Sequence, residues 1–283
     1  MKKHLVTAAI LLIFLAGLSV MLYPYVADSV NARRQSKVVT QYHKDVANLN
    51  EAAFAELFEA AHAYNQTLPG KSNRYKFSDR DREEYMGLLN PFGNSIMGTL
   101  TIELISVKLP IYHGTDESVL QVGAGHLEGS SLPVGGAGTH TVVTGHRGLP
   151  SSTLLTKLDK LKIGDTFELN VLNETLTYKI DQILVVEPHE MEELAIEAGE
   201  DYCTLVTCTP YGINSHRMLL RGCRTGQTAG TAAAVLSVID EADRVDGKLI
   251  ARLAFVPASL ISIAYMVFRL KAIRRRKCAY GNR

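Results

Sequence analysis

The sequence predicts a mainly β protein: a closed or nearly closed β-barrel with short helices, an N-terminal helical region, and a transmembrane helix at each end. Three observations lead to this prediction. Two long apolar runs lie one near each end of the 283 residues. A stretch with helical spacing and without Pro or Gly follows the first run. From residue 97 onwards, short β-rich runs alternate with Gly-rich turns, which is typical of a barrel wall.

The first apolar run, residues 5–23, contains no charged residue and follows Met1-Lys2-Lys3-His4. Its length matches the roughly 20 residues that a helix needs to cross a bilayer core. Its basic flank is expected on the cytoplasmic side. A cleaved signal peptide is the alternative, but the apolar core of such a peptide is usually only ~7–15 residues long. We therefore predict an uncleaved transmembrane anchor over residues 1–26.

The second apolar run, residues 253–268, is followed by six basic residues within nine positions. The positive-inside rule places such an end in the cytoplasm. We predict a transmembrane helix over residues 249–271, a basic cytoplasmic tail over 272–283, and a linker over 227–248, where the composition loosens. The protein would then cross the cell membrane twice, with both termini cytoplasmic and its middle part outside.

The charge balance excludes nucleic acid as a partner. Lys and Arg number 30 against 29 Asp and Glu, which leaves a formal charge of +1. A surface that binds phosphates needs a net basic field. Hydrophobic residues make up 46% of the chain, and much of the excess lies in the two terminal runs. The middle is therefore expected to be an ordinary soluble domain.

Two segments separate the anchor from the barrel. Apolar residues at i, i+3 and i+4 intervals over 32–64 indicate one amphipathic helix or two, ended by Leu68-Pro69-Gly70. We assign residues 27–70 to this extracellular helical region. Residues 71–95 are polar and mixed, and the charge run at 79–84 is expected to be a solvated face.

The barrel is predicted over residues 96–226. Its main β-rich runs are residues 139–144, 166–171, 176–186, 203–207 and 217–221. The second and third of these runs, separated by Asn173-Glu174, form a hairpin candidate. Few helical pieces are expected, at residues 151–161 and 190–197.

Cys208 is a candidate nucleophile because it ends a β-rich run, and Pro210 cannot continue a central strand. A free cysteine is more often a small core residue. A nucleophilic thiolate needs a nearby base or positive charge. The available bases include four histidines in Gly- or Thr-rich stretches, and composition alone does not choose among them: His113, His126, His140 and His146.

Arg217 follows a turn and would return beside the cysteine strand. A guanidinium next to a reacting carbonyl can stabilise an oxyanion. An ordinary surface salt bridge is the alternative for any single arginine.

Several motifs together resemble the sortase family. They are TLVTC at 204–208, TPYGINSHRMLLRG at 209–222, LPIYHGT at 109–115, GAGHLEGSSLPVGG at 123–136 and TGHRGLP at 144–150. They span about residues 96 to 225 in the family's order. They look like class C, the pilus-assembling sortases, and a two-pass topology is also what class C implies.

The resemblance implies a sortase-type closed barrel and a cysteine transpeptidase. It makes Cys208 the nucleophile, His146 the general acid/base and Arg217 the transition-state stabiliser, and Thr207 becomes a candidate substrate-binding residue. The implied substrate is a pilin or surface protein with an LPxTG-like sorting signal, cleaved between Thr and Gly through a thioacyl-enzyme. A pilin lysine amine or a peptidoglycan cross-bridge amine would accept the acyl group. No metal or organic cofactor is implied.

The resemblance fails at one point and assigns two further residues. Many class C enzymes carry an Asp-Pro-aromatic lid, whereas the corresponding stretch here, RYKFSD at 74–79, has no Asp-Pro pair. Tyr75 and Phe77 are the candidates for an aromatic lid in the segment 71–95, and a salt-bridging lid Asp is not expected at the usual place. His113 and His126 fall in family motifs without a catalytic role, so they are expected to be structural.

The cysteine count leaves two alternatives. Cys278 is predicted to be cytoplasmic, so three cysteines lie in the exported part. If the strands of Cys208 and Arg217 pair antiparallel, opposed positions sum to about 425, and Cys203 and Cys223 come close together. A disulfide between them would leave Cys208 as the free thiol. Two small buried thiols are the other possibility, since opposed strand positions often give strained bridges.

Two other functions were weighed. In a papain-like protease the cysteine precedes the histidine within a C-G-x-C-W type motif. Here His146 precedes Cys208 and that motif is missing. A non-catalytic, membrane-tethered binding ectodomain is the alternative of another class.

Overall fold

The computed structural model describes residues 2–71 and 73–226. The predicted linker, C-terminal transmembrane helix and basic tail at 227–283 lie outside these described residues, as does Cys278. The helices are α1 (Lys2–Val46), α2 (Glu51–Thr67), α3 (Asp79–Gly87) and α4 (Glu117–Leu120). The strands are β1 (Ile96–Ile102), β2 (Val107–His113), β3 (Ala124–His126), β4 (Thr139–Thr144), β5 (Thr166–Val171), β6 (Glu174–Val186), β7 (Asp201–Thr209) and β8 (His216–Arg224).

The eight strands form a closed barrel in the order β1-β2-β3-β4-β7-β8-β6-β5, which confirms the predicted fold class. Strands β4 and β7 are parallel neighbours, whereas β8 pairs with β7 in the antiparallel sense. The ends of β4 and β7 and the start of β8 therefore meet at one edge of the barrel. Strand β6 also ends there, because Val186 pairs with Arg217. We call this the near edge, and the opposite one the far edge.

Helix α1 is one long helix with two different parts. Its N-terminal part carries exposed apolar side chains. By length and composition, its stretch Leu5–Val46 is long and apolar enough to cross a membrane. Its C-terminal part buries Gln35, Val39, Tyr42 and Val46, which are spaced by three or four residues and so share one helical face.

The amphipathic region of the sequence forms two helices. Helix α1 ends at Val46, and α2 begins after Asn50, whose side chain accepts a hydrogen bond from the Ala53 amide (2.9 Å). Helix α2 ends at Thr67, immediately before the predicted Leu68-Pro69-Gly70 stop.

Three local predictions need correction. The mixed segment 71–95 contains α3, whose Tyr85 is fully buried although the surrounding charge run is solvated. Residues 151–161 and 190–197 form only single 3-10 turns, at Leu158–Lys160 and Glu192–Leu194. The predicted hairpin is present, but its turn is one residue earlier than expected, because Glu174 already pairs with Val171.

The disulfide considered between Cys203 and Cys223 is not formed, although the predicted register is correct. Cys208 pairs with Arg217, so opposed positions do sum to 425. Cys203 then lies opposite Gly222, and Cys223 opposite Tyr202. Because successive residues of a strand point to opposite faces, the Cys203 thiol is buried inside the barrel while that of Cys223 points outward. Both thiols are free, and burial raises the pKa of the Cys203 thiol well above its usual value.

Candidate active site

The strand register brings the three sequence-predicted side chains to the near edge. Cys208, the last residue but one of β7, lies directly opposite Arg217, the second residue of β8. On the other side of β7, Thr144 pairs with Val206, and the Gly145 amide donates to the Val206 carbonyl (3.1 Å). Extending this register by two residues places His146 level with Cys208. A thiol, an imidazole and a guanidinium thus occupy three adjacent strand ends.

The Arg217 guanidinium is held over the β7–β8 turn. Its Nη1 donates to the carbonyl oxygens of Asn214 (3.2 Å) and His216 (3.1 Å). Within residues 2–71 and 73–226 it has no carboxylate partner at salt-bridge distance, so the surface ion pair weighed above is not what this part of the structure shows. The backbone of Arg217 lies directly opposite that of Cys208 in the ladder.

Glu117, which the sequence reasoning missed, holds the imidazole of His146. The Nε2 atom of His146 lies 3.2 Å from both carboxylate oxygens of Glu117. A carboxylate can only accept, so Nε2 donates and Nδ1 is left to exchange a proton with the thiol. A hydrogen bond from Gln121, together with the charge of His146, lowers the pKa of the Glu117 carboxyl.

No spacing in the sequence links Glu117 to His146. Glu117 opens the short helix α4, 29 residues before the histidine. Its only signal was its position two residues after the motif LPIYHGT. The chain reversals that bring α4 to the end of β4 are tertiary, so periodicity could not reveal them.

Thr207, the candidate substrate-binding residue, is directed into the barrel. Its side chain is buried, and its hydroxyl donates to the Gly145 carbonyl (2.8 Å). The reason is strand alternation: Cys208 points outward, so Thr207 points inward. Thr207 instead fixes the backbone immediately before His146.

Arg147 anchors the loop on the other side of His146. Its Nη1 donates to Thr209 Oγ1 (3.3 Å), and its Nη2 forms an ion pair with Asp159 (2.6 Å). The arginine side chain is only 8% exposed. His146 therefore sits between two tethered neighbours, Gly145 and Arg147.

An apolar cleft of about 220 Å³ leads to Arg217. Its floor consists of residues that alternate with the candidate side chains on the same outer face: Val142 and Thr144 on β4, Val206 on β7 and Leu219 on β8. The β6–β7 connection supplies a wall with Met191 and Leu194. Of the three candidate side chains, Arg217 lines this cleft, and Cys208 lies next to this end of it as the strand partner of Arg217.

Neither lid candidate lines this cleft. Phe77 packs edge-on against Tyr85, with ring centroids 5.8 Å apart. Tyr75 lies beside Arg74, whose Nη2 donates both to the Tyr75 hydroxyl (2.8 Å) and to the Leu194 carbonyl (2.7 Å). The segment is thus attached through Arg74 to the backbone of the cleft wall at Leu194.

The other barrel histidines are buried structural residues. His126 accepts from the Tyr85 hydroxyl at Nδ1 (2.9 Å) and donates from Nε2 to the Ser131 carbonyl (2.9 Å). His140 donates to the Ala195 carbonyl (2.8 Å) and accepts from Thr204 (2.7 Å). Desolvation lowers the pKa of both His126 and His140 to about 4. His113 lies between the Ser95 and Leu88 carbonyls.

A closed barrel that presents a thiol, an imidazole and a guanidinium side by side is the architecture of a cysteine transpeptidase. The chain belongs to the sortase family. The family's sequence model, described as the sortase domain, matches residues 100–225.

Two solved structures of class C sortases are similar over most of their length. Sortase C1 from Streptococcus agalactiae is 44% identical with a TM-score of 0.66, covering 68% of this chain and 99% of that one. Sortase C from Streptococcus pneumoniae is also 44% identical, with a TM-score of 0.61, covering 69% and 100% of the two chains.

A curated relative is more distant. Sortase A of Streptococcus agalactiae serotype III is 30% identical over 117 residues, 40% of this chain. The chain spans about half of that relative's length, since the match covers 47% of it.

Proposed function

We propose that this protein is a membrane-anchored transpeptidase that cleaves an LPxTG-like sorting signal between Thr and Gly and joins the acyl group to a pilin lysine amine. The observation that carries the proposal is the strand register that brings Cys208, His146 and Arg217 to the near edge, where Arg217 also lines an apolar cleft. The similarity to class C sortases supports the pilin as substrate, since the crystal structure of the Streptococcus pneumoniae relative bears on pilin substrate specificity in that protein.

The chemistry assigns one role to each side chain. The Cys208 thiolate attacks the Thr carbonyl carbon, and the Arg217 guanidinium stabilises the oxyanion that forms. The C–N bond then breaks as the His146 imidazolium donates its proton to the departing Gly nitrogen. The product is a thioacyl-enzyme. An incoming amine attacks the thioester, His146 accepts its proton, and the Cys208 thiolate is regenerated with a new amide bond.

The cleft suits the first residues of such a signal. Its floor and wall are formed mainly by apolar side chains of β4, β7, β8 and the β6–β7 connection. Leu and Pro of the signal would be buried there, because burial of apolar surface stabilises binding by about 25 cal/mol per Å². Thr would then reach Cys208, and the segment beyond it would leave past Arg217.

Domain layout and topology belong to the same proposal. Residues 1–26 form the anchor, 27–70 the extracellular helical region, 71–95 a lid-like segment and 96–226 the catalytic barrel. The exposed apolar side chains of α1 support the anchor. The proposed second membrane crossing at 249–271, with both termini cytoplasmic, rests on the sequence pattern alone.

A transpeptidation assay with an LPxTG-type peptide tests the roles. Cys208→Ala and His146→Ala should abolish product formation. Arg217→Lys should reduce kcat by about 10²–10³-fold, because lysine keeps the charge but loses the planar pair of donors. Arg221→Lys is the matched control on the same strand, since Arg221 pairs with Asp181 away from the cleft. Near-normal turnover by Cys208→Ala or His146→Ala would contradict the assignment.

A competition experiment identifies which amine accepts the acyl group. A pilin fragment that contains the acceptor lysine and a peptidoglycan cross-bridge peptide should be offered together, and the amide product sequenced by mass spectrometry. The proposal predicts the lysine isopeptide. A product with the cross-bridge amine alone would favour attachment to the cell wall, and normal cellular function of Cys208→Ala would favour a non-catalytic binding ectodomain.

A further inference from the structure

The membrane end of α1 is attached to the near edge of the barrel. Asp28 accepts from the Thr153 amide (2.6 Å), and Asn31 donates to the Ser151 carbonyl (2.9 Å). Gln35 donates to the Val122 carbonyl and to Ser152 Oγ, both at 3.2 Å. These three residues share one face of a helix that continues without a break from the apolar run. The loops on either side of the site, one after α4 and one after His146, are thus bound to the first turns beyond the anchor.

The other end of the same helix reaches the far edge. The Tyr42 hydroxyl donates to the Met97 carbonyl (3.2 Å) at the start of β1 and accepts from the Leu172 amide (2.8 Å) in the β5–β6 turn. Helix α1 therefore runs along the height of the barrel, from the near edge to the far edge. With a rise of 1.5 Å per residue, the contacts of Asp28 to Gln35 begin about 8 Å and end about 18 Å beyond Tyr23, where the apolar run ends. The contact of Asp28 therefore lies at the outer boundary of the headgroup region, and those of Asn31 and Gln35 lie in the water just above it.

The distribution of exposed apolar side chains points the same way, independently of α1. Outside α1, six large hydrophobic residues are exposed in the described part of the chain: Leu104, Val122, Ile163, Val185, Tyr211 and Ile213. All six lie at the near edge. They occupy the β1–β2 turn, the approaches to β3 and β5, the end of β6 and the β7–β8 turn. The described loops at the far edge, including 127–138 and 172–173, contain none of this set.

We propose that the near edge rests on the lipid surface, with these apolar side chains among the headgroups, so that the Cys208 site works at the membrane surface. A ring of exposed apolar residues costs free energy in water and gains it at a bilayer interface, where aromatic and aliphatic groups are favoured. Arg33 and Arg34 are exposed on α1 within the attached stretch, where they can pair with anionic headgroups. The proposal rests on α1 acting as the anchor, as set out under the proposed function, but not on the chemistry assigned there.

The protein contains no tryptophan, which allows a direct test with single introduced Trp residues. The full-length Leu104→Trp and Ala137→Trp proteins are reconstituted into vesicles of phosphatidylglycerol and phosphatidylcholine, with a nitroxide quencher on part of the phosphatidylcholine headgroups. Leu104 lies in the near-edge β1–β2 turn, and Ala137 is exposed in the loop before β4 at the far edge. We expect the fluorescence of the near-edge Trp to fall to about half, as for an interfacial indole, and that of the far-edge Trp to stay unchanged.

Three outcomes would overturn the proposal: equal quenching of the two proteins, stronger quenching of Ala137→Trp, or failure of both proteins to float with vesicles. If the free LPxTG peptide, and not the lipid, quenched the fluorescence of Leu104→Trp, the surface would be assigned to binding of the protein substrate. That result would also contradict the proposal. If Leu104→Trp folds poorly, Ile213→Trp allows a second measurement of fluorescence quenching at the near edge. Thioacyl formation, measured in the same preparations, reports separately on the proposed chemistry.

Discussion

At the scale of single residues, Glu117 is expected to act indirectly, by positioning the imidazole of His146. Its carboxylate is the partner of His146 Nε2 in the described structure, and it fixes both the ring orientation and the donor nitrogen. The thiol and guanidinium are positioned by the β7–β8 ladder itself, which leaves the imidazole, on a loop beyond β4, as the member that needs an additional support.

Glu117→Gln should lower kcat by about 10-fold with little change in KM. The amide keeps the size but loses the negative charge that stabilises an imidazolium, and a charge-assisted hydrogen bond becomes a neutral one. Kinetics across pH measure the effect, and a purely structural role would not move the pH–rate profile. Glu117→Asp should restore part of the activity.

Gln121→Ala is the matched control, since it removes the other hydrogen-bond partner of Glu117 while leaving the carboxylate. A Glu117→Gln enzyme with wild-type kcat and pH profile would show that His146 is held by other groups.

The buried histidines make stability depend on pH. Because desolvation lowers the pKa of His126 and His140 to about 4, compared with 6.5 in the unfolded chain, the unfolded state binds more protons between these values. Their contribution is fully present above pH 6.5 and is lost as the pH falls towards 4. From pH 6.5 to pH 5, we expect each to reduce the free energy of unfolding by about 2 kcal/mol.

Urea unfolding of the full-length protein in detergent at pH 7, 6 and 5 measures this dependence. His140→Asn removes one of the two groups, so its loss of stability between pH 7 and pH 5 should be about half as large. An identical loss in wild type and His140→Asn would contradict the assignment of His140 as a buried neutral residue.

At the scale of elements, strand alternation determines which side chains can reach a substrate. On β7, the inward Thr207 supports the Gly145 carbonyl, and Cys208 points to the outer face. The same alternation places the cleft floor residues Val142 and Val206 on the outer face. Two adjacent residues at the end of β7 thus supply a candidate catalytic side chain, Cys208, and a supporting side chain, Thr207.

Thr207→Val tests the supporting role. Valine fills the same volume but leaves the Gly145 carbonyl without its donor, which costs about 1–3 kcal/mol in a buried position. We expect a lower free energy of unfolding together with a reduced kcat, because the backbone before His146 is released. Denaturant unfolding and steady-state kinetics give both numbers. A raised KM with unchanged kcat would instead return Thr207 to the substrate-binding role that the sequence predicted.

The register and the closed barrel were predictable, and several details of the site were not. The short turn between Cys208 and Arg217 sets their pairing by chain geometry alone. Alternation could also have assigned Thr207 to the interior once Cys208 was taken to be exposed. In contrast, α3 stays in place because Tyr85 packs against His113 and His126, whose positions depend on β2 and β3. The contact between Glu117 and His146 depends on the same tertiary arrangement.

At the scale of the whole molecule, the site and the anchor lie at the same end. Helix α1 joins the apolar run to the near edge through Asp28, Asn31 and Gln35, and then continues to the far edge at Tyr42. With the apolar run as the proposed membrane anchor, α1 would fix both the height and the orientation of the barrel. This arrangement is relevant to function only if catalysis takes place at the near edge. The central claim is therefore that Cys208 forms an acyl-enzyme.

The most direct test is mass spectrometry of the purified full-length protein after incubation with an LPxTG-type peptide. The account predicts a single acyl adduct, ending in the Thr residue of the peptide, on Cys208. The adduct should persist in Cys223→Ala, which removes the other outward-pointing thiol described on the barrel, and should disappear in Cys208→Ala. An adduct on Cys223, or no adduct under conditions in which the peptide is bound, would contradict it.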